Sequence, residues 1–143
     1  MPQVLPIAPP LLEAAHAFEA EAQWPPWSVT RGWVMPVYPP NDCTSARRGL
    51  ALEPDADGAS VTLAAHVESA KLQRLHVAFV ARERGVQRVT TMLGPSRQEF
   101  VHTADAHECF SVEMSNIRMA PGEYPLTIET GHLGVVLDRY WFE

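Results

Sequence analysis

ASVTLAAHVE at residues 59–68 and LHVAFVARERGVQRVTTML at residues 75–93 carry the decision about fold. In the first, Val61, Leu63, Ala65 and Val67 point one way while Ser60, Thr62, Ala64 and His66 point the other. A strand sends successive side chains to opposite faces, so a period of two reads as a half-buried β-strand. In the second, Leu75, Val77, Phe79 and Ala81 form an inward row. Arg84-Gly85 then predicts a turn and Val86 the start of a partner strand, together a β-hairpin.

Downstream the same period continues. CFSVEMSNIRM, residues 109–119, puts Phe110, Val112 and Met114 on one face and then changes phase to Ile117 and Met119, which predicts a bulge near Ser115-Asn116. PGEYPLTIET, residues 121–130, follows. Pro121 and Gly122 suit the two central positions of a type II turn, and Tyr124, Leu126 and Ile128 alternate into the next strand. A turn from Gly131 to Gly134 leads to VVLDRYWF, residues 135–142. Five or more short strands, mostly joined as hairpins, predict an all-β fold: an antiparallel β-sandwich of immunoglobulin-like or jelly-roll type.

The first 40 residues differ. They hold nine of the 13 prolines and three of the four tryptophans. Proline is confined to sheet edges, so this segment is not expected at a sheet centre. PLLEAAHAFEAEAQ, residues 10–23, sets Leu11, Ala15, Phe18 and Ala22 on one stripe behind Pro10, which predicts a short amphipathic helix. The expected organisation is an N-terminal helix and Pro/Trp-rich arm over residues 1–40 that packs on a β-sandwich domain over residues 41–143. Within GWVMPVY, the alternation of Trp33, Met35 and Val37 reads as a strand ended by Pro39-Pro40, with Trp33 in the core. The stretch AQWPPWSVTRGWV, residues 22–34, has three readings: a cover over a sheet edge, a protein contact, or a ligand surface. Trp24, Trp27 and Tyr38 are the candidate ligand-binding residues.

From about Arg48 onward the order of features resembles the C-terminal carbohydrate-binding domain of Wzt-type proteins, which belong to ABC transporters that export O-antigen polysaccharide. LHVAFVARERGVQRVTTML is similar to that family's central hairpin, FSVEMSNIRMAPGEYPLTIE to its strand-PGEY-strand segment, and LDRYWFE to its closing strand. The resemblance implies a dimeric sandwich that binds a glycan on one sheet face. No G-x-x-x-x-G-K-[ST] loop is present, so ATP hydrolysis by that route is not expected.

Formal charge is −6 without a clustered basic surface, which excludes nucleic acid as an expected partner. The N-terminus MPQVLPIAPPLL lacks a basic leader and an unbroken apolar run, and no segment is long and apolar enough to insert in a membrane. A cytoplasmic location follows, with Cys43 and Cys109 as reduced thiols.

Candidate chemistry is sparse. HTADAHEC, residues 102–109, holds His102, Asp105, His107, Glu108 and Cys109, but at no spacing that zinc sites use, so it reads as a solvated loop. Glu53, Asp55 and Asp57 before Gly58 lack the later ligands of a calcium loop and read as an Asp-Gly turn. No catalytic residues, metal or cofactor are expected. The expected function is a non-catalytic carbohydrate-binding module for a bacterial surface polysaccharide or its lipid-linked precursor. The alternative is a protein-interaction adaptor that docks through the Trp/Pro segment. A homodimer is expected through the apolar last strand, paired at a sheet edge.

Overall fold

The computed structural model describes residues 3–6, 17–38 and 48–143. These form twelve strands: β1 (Gln3–Pro6), β2 (Ala17–Glu19), β3 (Ser28–Arg31), β4 (Trp33–Val37), β5 (Gly49–Glu53), β6 (Ala59–Val67), β7 (Gln73–Ala81), β8 (Gly85–Leu93), β9 (Ser96–Ala104), β10 (Cys109–Ile117), β11 (Gly122–Thr130) and β12 (Val135–Phe142). A seven-stranded antiparallel sheet runs β1-β10-β7-β12-β5-β4, with β2 beside the far half of β12, and faces a five-stranded sheet running β3-β6-β11-β8-β9. The expected inward rows fill the space between them. Val61, Leu63, Ala65, Leu75, Val77, Phe79, Phe110, Val112, Leu126 and Ile128 are all buried in one core. The fold is therefore an antiparallel β-sandwich, as the period of two requires. No helix among the described residues is long and apolar enough to cross a membrane.

Connectivity departs from expectation. Residues 75–93 do not form a hairpin: β7 lies between β10 and β12, while β8 lies between β11 and β9 in the other sheet. The link after Ala81 therefore crosses the sandwich. Gly85 opens β8 at φ of 148°, a backbone conformation that residues with a Cβ rarely adopt. Most other links between consecutive strands from β5 to β12 also change sheet. The tight hairpin is β8–β9, where Leu93 pairs with Ser96 across Gly94-Pro95 and Gly94 takes φ of 54°.

Local details follow the same pattern of agreement and correction. The predicted bulge is present: register shifts between Met114 and Ile117, with Asn116 at φ of 60°. The type II turn is absent, because Gly122 already opens β11 opposite Val67 at φ of 154°. The Tyr124 hydroxyl donates to the Ala120 carbonyl at 2.7 Å and ties that corner instead. Of the helix expected over residues 10–23, the first seven lie outside the described residues. Ala17–Glu19 pair with β12 and Ala20–Gln23 make one 3₁₀ turn. Tertiary pairing overrides local helix preference here. Phe18 stacks on Tyr140 at 4.8 Å, and Ala20 is buried in the core.

Two further expectations change. The last strand is no edge, since β12 is flanked by β7 on one side and by β5 and β2 on the other, so it cannot supply the edge for dimer pairing. Cys109 is disulfide-bonded rather than a free thiol. Cys43, the other cysteine in the sequence, lies outside the described residues.

Candidate functional site

One extended segment forms an edge of both sheets. β3 closes the five-stranded sheet against β6, and β4 closes the seven-stranded sheet against β5, with only Gly32 between them. Strands that switch sheets need a sharp corner. Gly32 provides it at φ of 70°, where a Cβ would meet the Glu53 carbonyl oxygen at 2.4 Å. Asp55 holds the corner: one carboxylate oxygen accepts from the Gly32 N–H at 3.1 Å and the other from the Asp57 N–H at 2.8 Å. The Asp57 and Gly32 amides together hold the Asp55 carboxyl below its ordinary range. The acidic group at 53–57 is thus a structural turn, closed by the Asp55–Gly58 bridge.

This edge displays apolar side chains. Trp24, Trp27, Val29, Trp33, Met35 and Tyr38 are six of the nine large apolar residues that stand exposed among the described residues. Such a concentration makes this edge the candidate interaction surface. Trp33 is 70% exposed, so its expected core position is corrected. Trp33 and Met35 do share a face, but Val34 is the residue that packs on the core. On an edge strand, alternation alone does not say which row turns inward. Pro36 lies within β4, removes a backbone donor and blunts the edge against pairing with another strand.

Tyr38 borders a groove on that side. Val37, Tyr38, Val80, Ala81, Arg82, His107 and Val136 line a depression of about 440 Å³ on the outer face of the seven-stranded sheet. Its floor is apolar, since Val80 and Val136 are buried and Val37 packs on them. Tyr38 is 75% exposed, with the Arg48 guanidinium 5.7 Å from its ring centroid. Arg82 is oriented by an ion pair with Glu53 at 2.6 Å. His107, at φ of 65°, is fixed by its N–H donating to the Ala81 carbonyl at 2.8 Å. An exposed ring, an apolar floor and a polar rim suit a ligand with one apolar face and several hydroxyls.

The structure separates the candidates named from sequence. Tyr38 lines the groove, whereas Trp24 (46% exposed) and Trp27 (55% exposed) precede β3 at the other sheet and do not line it. Arg82 and His107 were invisible as site residues because they reach the groove from two different connections. Residues 102–104 end β9 and Cys109 opens β10, so the turn is residues 105–108, with His102 Nε2 and Glu108 Oε2 2.6 Å apart and the Glu108 N–H donating to the Asp105 carbonyl at 3.1 Å. The His102 hydrogen bond draws the Glu108 carboxyl below its ordinary range.

No family model and no curated protein matches this sequence. Solved structures do. The chain is similar to a CBM36 carbohydrate-binding module in complex with calcium and xylotriose, with 18% identity and a TM-score of 0.62 over 90% of this chain and 99% of that one. It is similar to a CBM36-1 domain of a multidomain xylanase from the hindgut metagenome of Trinervitermes trinervoides, at 10% identity and TM-score 0.64, over 90% of this chain and 95% of that one. A CBM61 module in complex with β-1,4-galactotriose matches at 17% identity and TM-score 0.58, over 85% of this chain and 90% of that one. At these identities the likeness establishes the carbohydrate-binding-module β-sandwich fold. The calcium belongs to that neighbour: among the described residues, no three His, Cys, Asp or Glu side chains come together to hold a metal ion.

Proposed function

We propose that this chain is a non-catalytic carbohydrate-binding module whose glycan lies along the β3–β4 edge, with one sugar ring seated in the Tyr38 groove. The observation that carries the reading is the groove itself, a three-quarters-exposed aromatic ring beside an apolar floor and a polar rim on this fold. The ligand class we favour is a bacterial surface polysaccharide or its lipid-linked precursor. The likeness of residues 110–129 to the strand-PGEY-strand segment of the Wzt-type domain supports a link to polysaccharide export or assembly. The Cys109 disulfide favours an oxidising compartment over the cytoplasm, because thiols stay reduced in the latter.

Trp24 and Trp27 extend the surface as stacking positions. Trp27→Ala should weaken glycan binding by about 1–3 kcal/mol and leave the melting temperature unchanged, as expected of an exposed contact. Tryptophan fluorescence during a polysaccharide titration reads this directly. Equal affinity of wild type and variant for every glycan that binds would remove Trp27 from the site.

A second reading is a docking surface for a protein or for another copy of the chain. The breadth of the edge favours it, since Trp24, Trp27 and Val29 lie outside the groove. Light scattering of wild type and a Trp24→Ser/Trp27→Ser variant separates the cases: a dimer that the double substitution dissolves supports docking between copies, and a monomer in both rejects it.

A further inference from the structure

We infer that the outer face of the five-stranded sheet is a second glycan site, selective for sugars that carry a carboxylate. The inference rests on the glycan reading above but uses none of the residues that line the Tyr38 groove. Register places Arg31 opposite Ser60, Ser60 opposite Glu129, Glu129 opposite Thr90 and Thr90 opposite Glu99, so these five positions form one row across all five strands. Directly opposed residues share a face, and four interstrand steps make the row about 19 Å long. A groove of about 290 Å³ lies on it, flanked by Arg88 on one side and Arg97 on the other.

Charge decides the ligand class. The whole chain carries −6, yet three arginines and two carboxylates line this groove. Arg31 is held by Glu129 at 2.6 Å and Arg97 by Glu99 at 2.9 Å. Arg88 is exposed and forms no ion pair with any described residue. The Arg97–Glu99 pair is more than half exposed on both sides, so it contributes little and yields readily to a competing anion. A guanidinium presents a planar fork of donors that fits a carboxylate with two parallel hydrogen bonds. The Thr90 hydroxyl can donate to or accept from sugar hydroxyls, and the two glutamate carboxylates can accept from them. None of the groove's outward side chains is a large aromatic like Tyr38, so the face lacks the stacking platform a neutral ring prefers.

The test is a two-dimensional NMR titration of the full chain with trigalacturonate, and separately with a panel of neutral trisaccharides including β-1,4-galactotriose and xylotriose. Trigalacturonate should shift the amides of Arg88, Thr90 and Glu99. Its affinity should fall about tenfold in Arg88→Gln, recover in part in Arg88→Lys, and fall again with added salt. The melting temperature of Arg88→Gln should match wild type, since the side chain is exposed, and Tyr38→Ala should leave this binding unchanged. Three results would overturn the inference: no shift on this face, equal trigalacturonate affinity in Arg88→Gln, or the same shifts from acetate at equal carboxylate concentration. If neutral sugars bind at Tyr38 while trigalacturonate fails here, only this inference falls. If neither these sugars nor purified bacterial surface polysaccharides bind, the glycan reading falls with it.

Discussion

The outer face of the seven-stranded sheet is built from Ala51, Ala78, Val80 and Val136, all buried, whereas the outer face of the five-stranded sheet carries Arg88, Arg97, Glu99 and Val101 in solvent. β7 is buried at seven consecutive positions, from Leu75 to Ala81, while β8 alternates between buried and accessible. A strand withdrawn from water on both faces loses the alternation of polar and apolar residues, and a strand wet on one face keeps it. The difference explains how one continuous-looking segment, residues 75–93, was split between two sheets. It also sorts the candidate surfaces. On the proposed reading a glycan meets the seven-stranded sheet at its β4 side, where Tyr38 borders the groove, and meets the five-stranded sheet across its width.

Charge insertion should break or sharpen that comparison most strongly. Val80→Asp places a carboxylate on the buried apolar floor beside Ala51, Cys109 and Val136 and should cost about 3 kcal/mol or prevent folding. Val101→Asp, at a side chain 56% exposed on the other sheet, should stay within about 0.5 kcal/mol of wild type. Urea unfolding of the two variants gives both numbers, and similar losses would mean that the two faces are not different in kind.

Gly32→Ala should come next. The methyl group meets the Glu53 carbonyl oxygen and the residue must hold a positive φ, so a loss of about 3 kcal/mol is expected. Because the corner joins the edges of both sheets, glycan binding should fall with stability. Wild-type stability in this variant would show that the corner is not constrained.

Stability should also decline at both ends of the pH scale. Burial raises the Tyr140 hydroxyl to about 12, although the His66 N–H that donates to it at 2.9 Å acts in the opposite sense. The neutral phenol is therefore favoured in the fold, and its contribution, about 2 kcal/mol, is present below pH 10 and lost between pH 10 and 12. On the acid side, burial lowers His76 against the pull of Glu143 and Glu113, and Glu108 is lowered by His102. Groups lowered in the fold stabilise it above their unfolded values. Their contributions disappear as pH falls, first from His76 below about 6.5 and then from Glu108 below about 4.3. Denaturation profiles check the assignment: Tyr140→Phe should lose the alkaline limb, and Glu108→Gln should lose the later acid step while keeping the His76 step.

The smallest effect belongs to Trp33→Ala. A side chain 70% exposed on an edge strand should cost less than about 0.5 kcal/mol, in place of the 3–5 kcal/mol a core tryptophan would cost. A large loss would return Trp33 to the interior.

Much of the fold was legible from residue order. Val61 to Val67 and Leu75 to Ala81 face the core as alternation requires, and the bulge at Ser115-Asn116 shows in the phase change from Met114 to Ile117. Strand pairing was not legible, because a short connection such as residues 82–84 serves a crossover as well as a hairpin. The inward row of β4 escaped for a related reason: Val34 packs on the core because β4 lies at an edge, and edge position is set by the other strands. Tyr38 stood out as an aromatic beside prolines. Arg82 and His107 did not, since only the pairing of β7 with β10 and β12 brings their connections to the same end of the sheet.

The central claim is that the Tyr38 groove seats a sugar. Calorimetric titration of wild type and Tyr38→Ala with purified bacterial surface polysaccharides tests it most directly. Loss of the stacking ring should weaken binding by about 1–3 kcal/mol with no change in melting temperature. A Tyr38→Ala protein that binds as tightly as wild type would contradict the account.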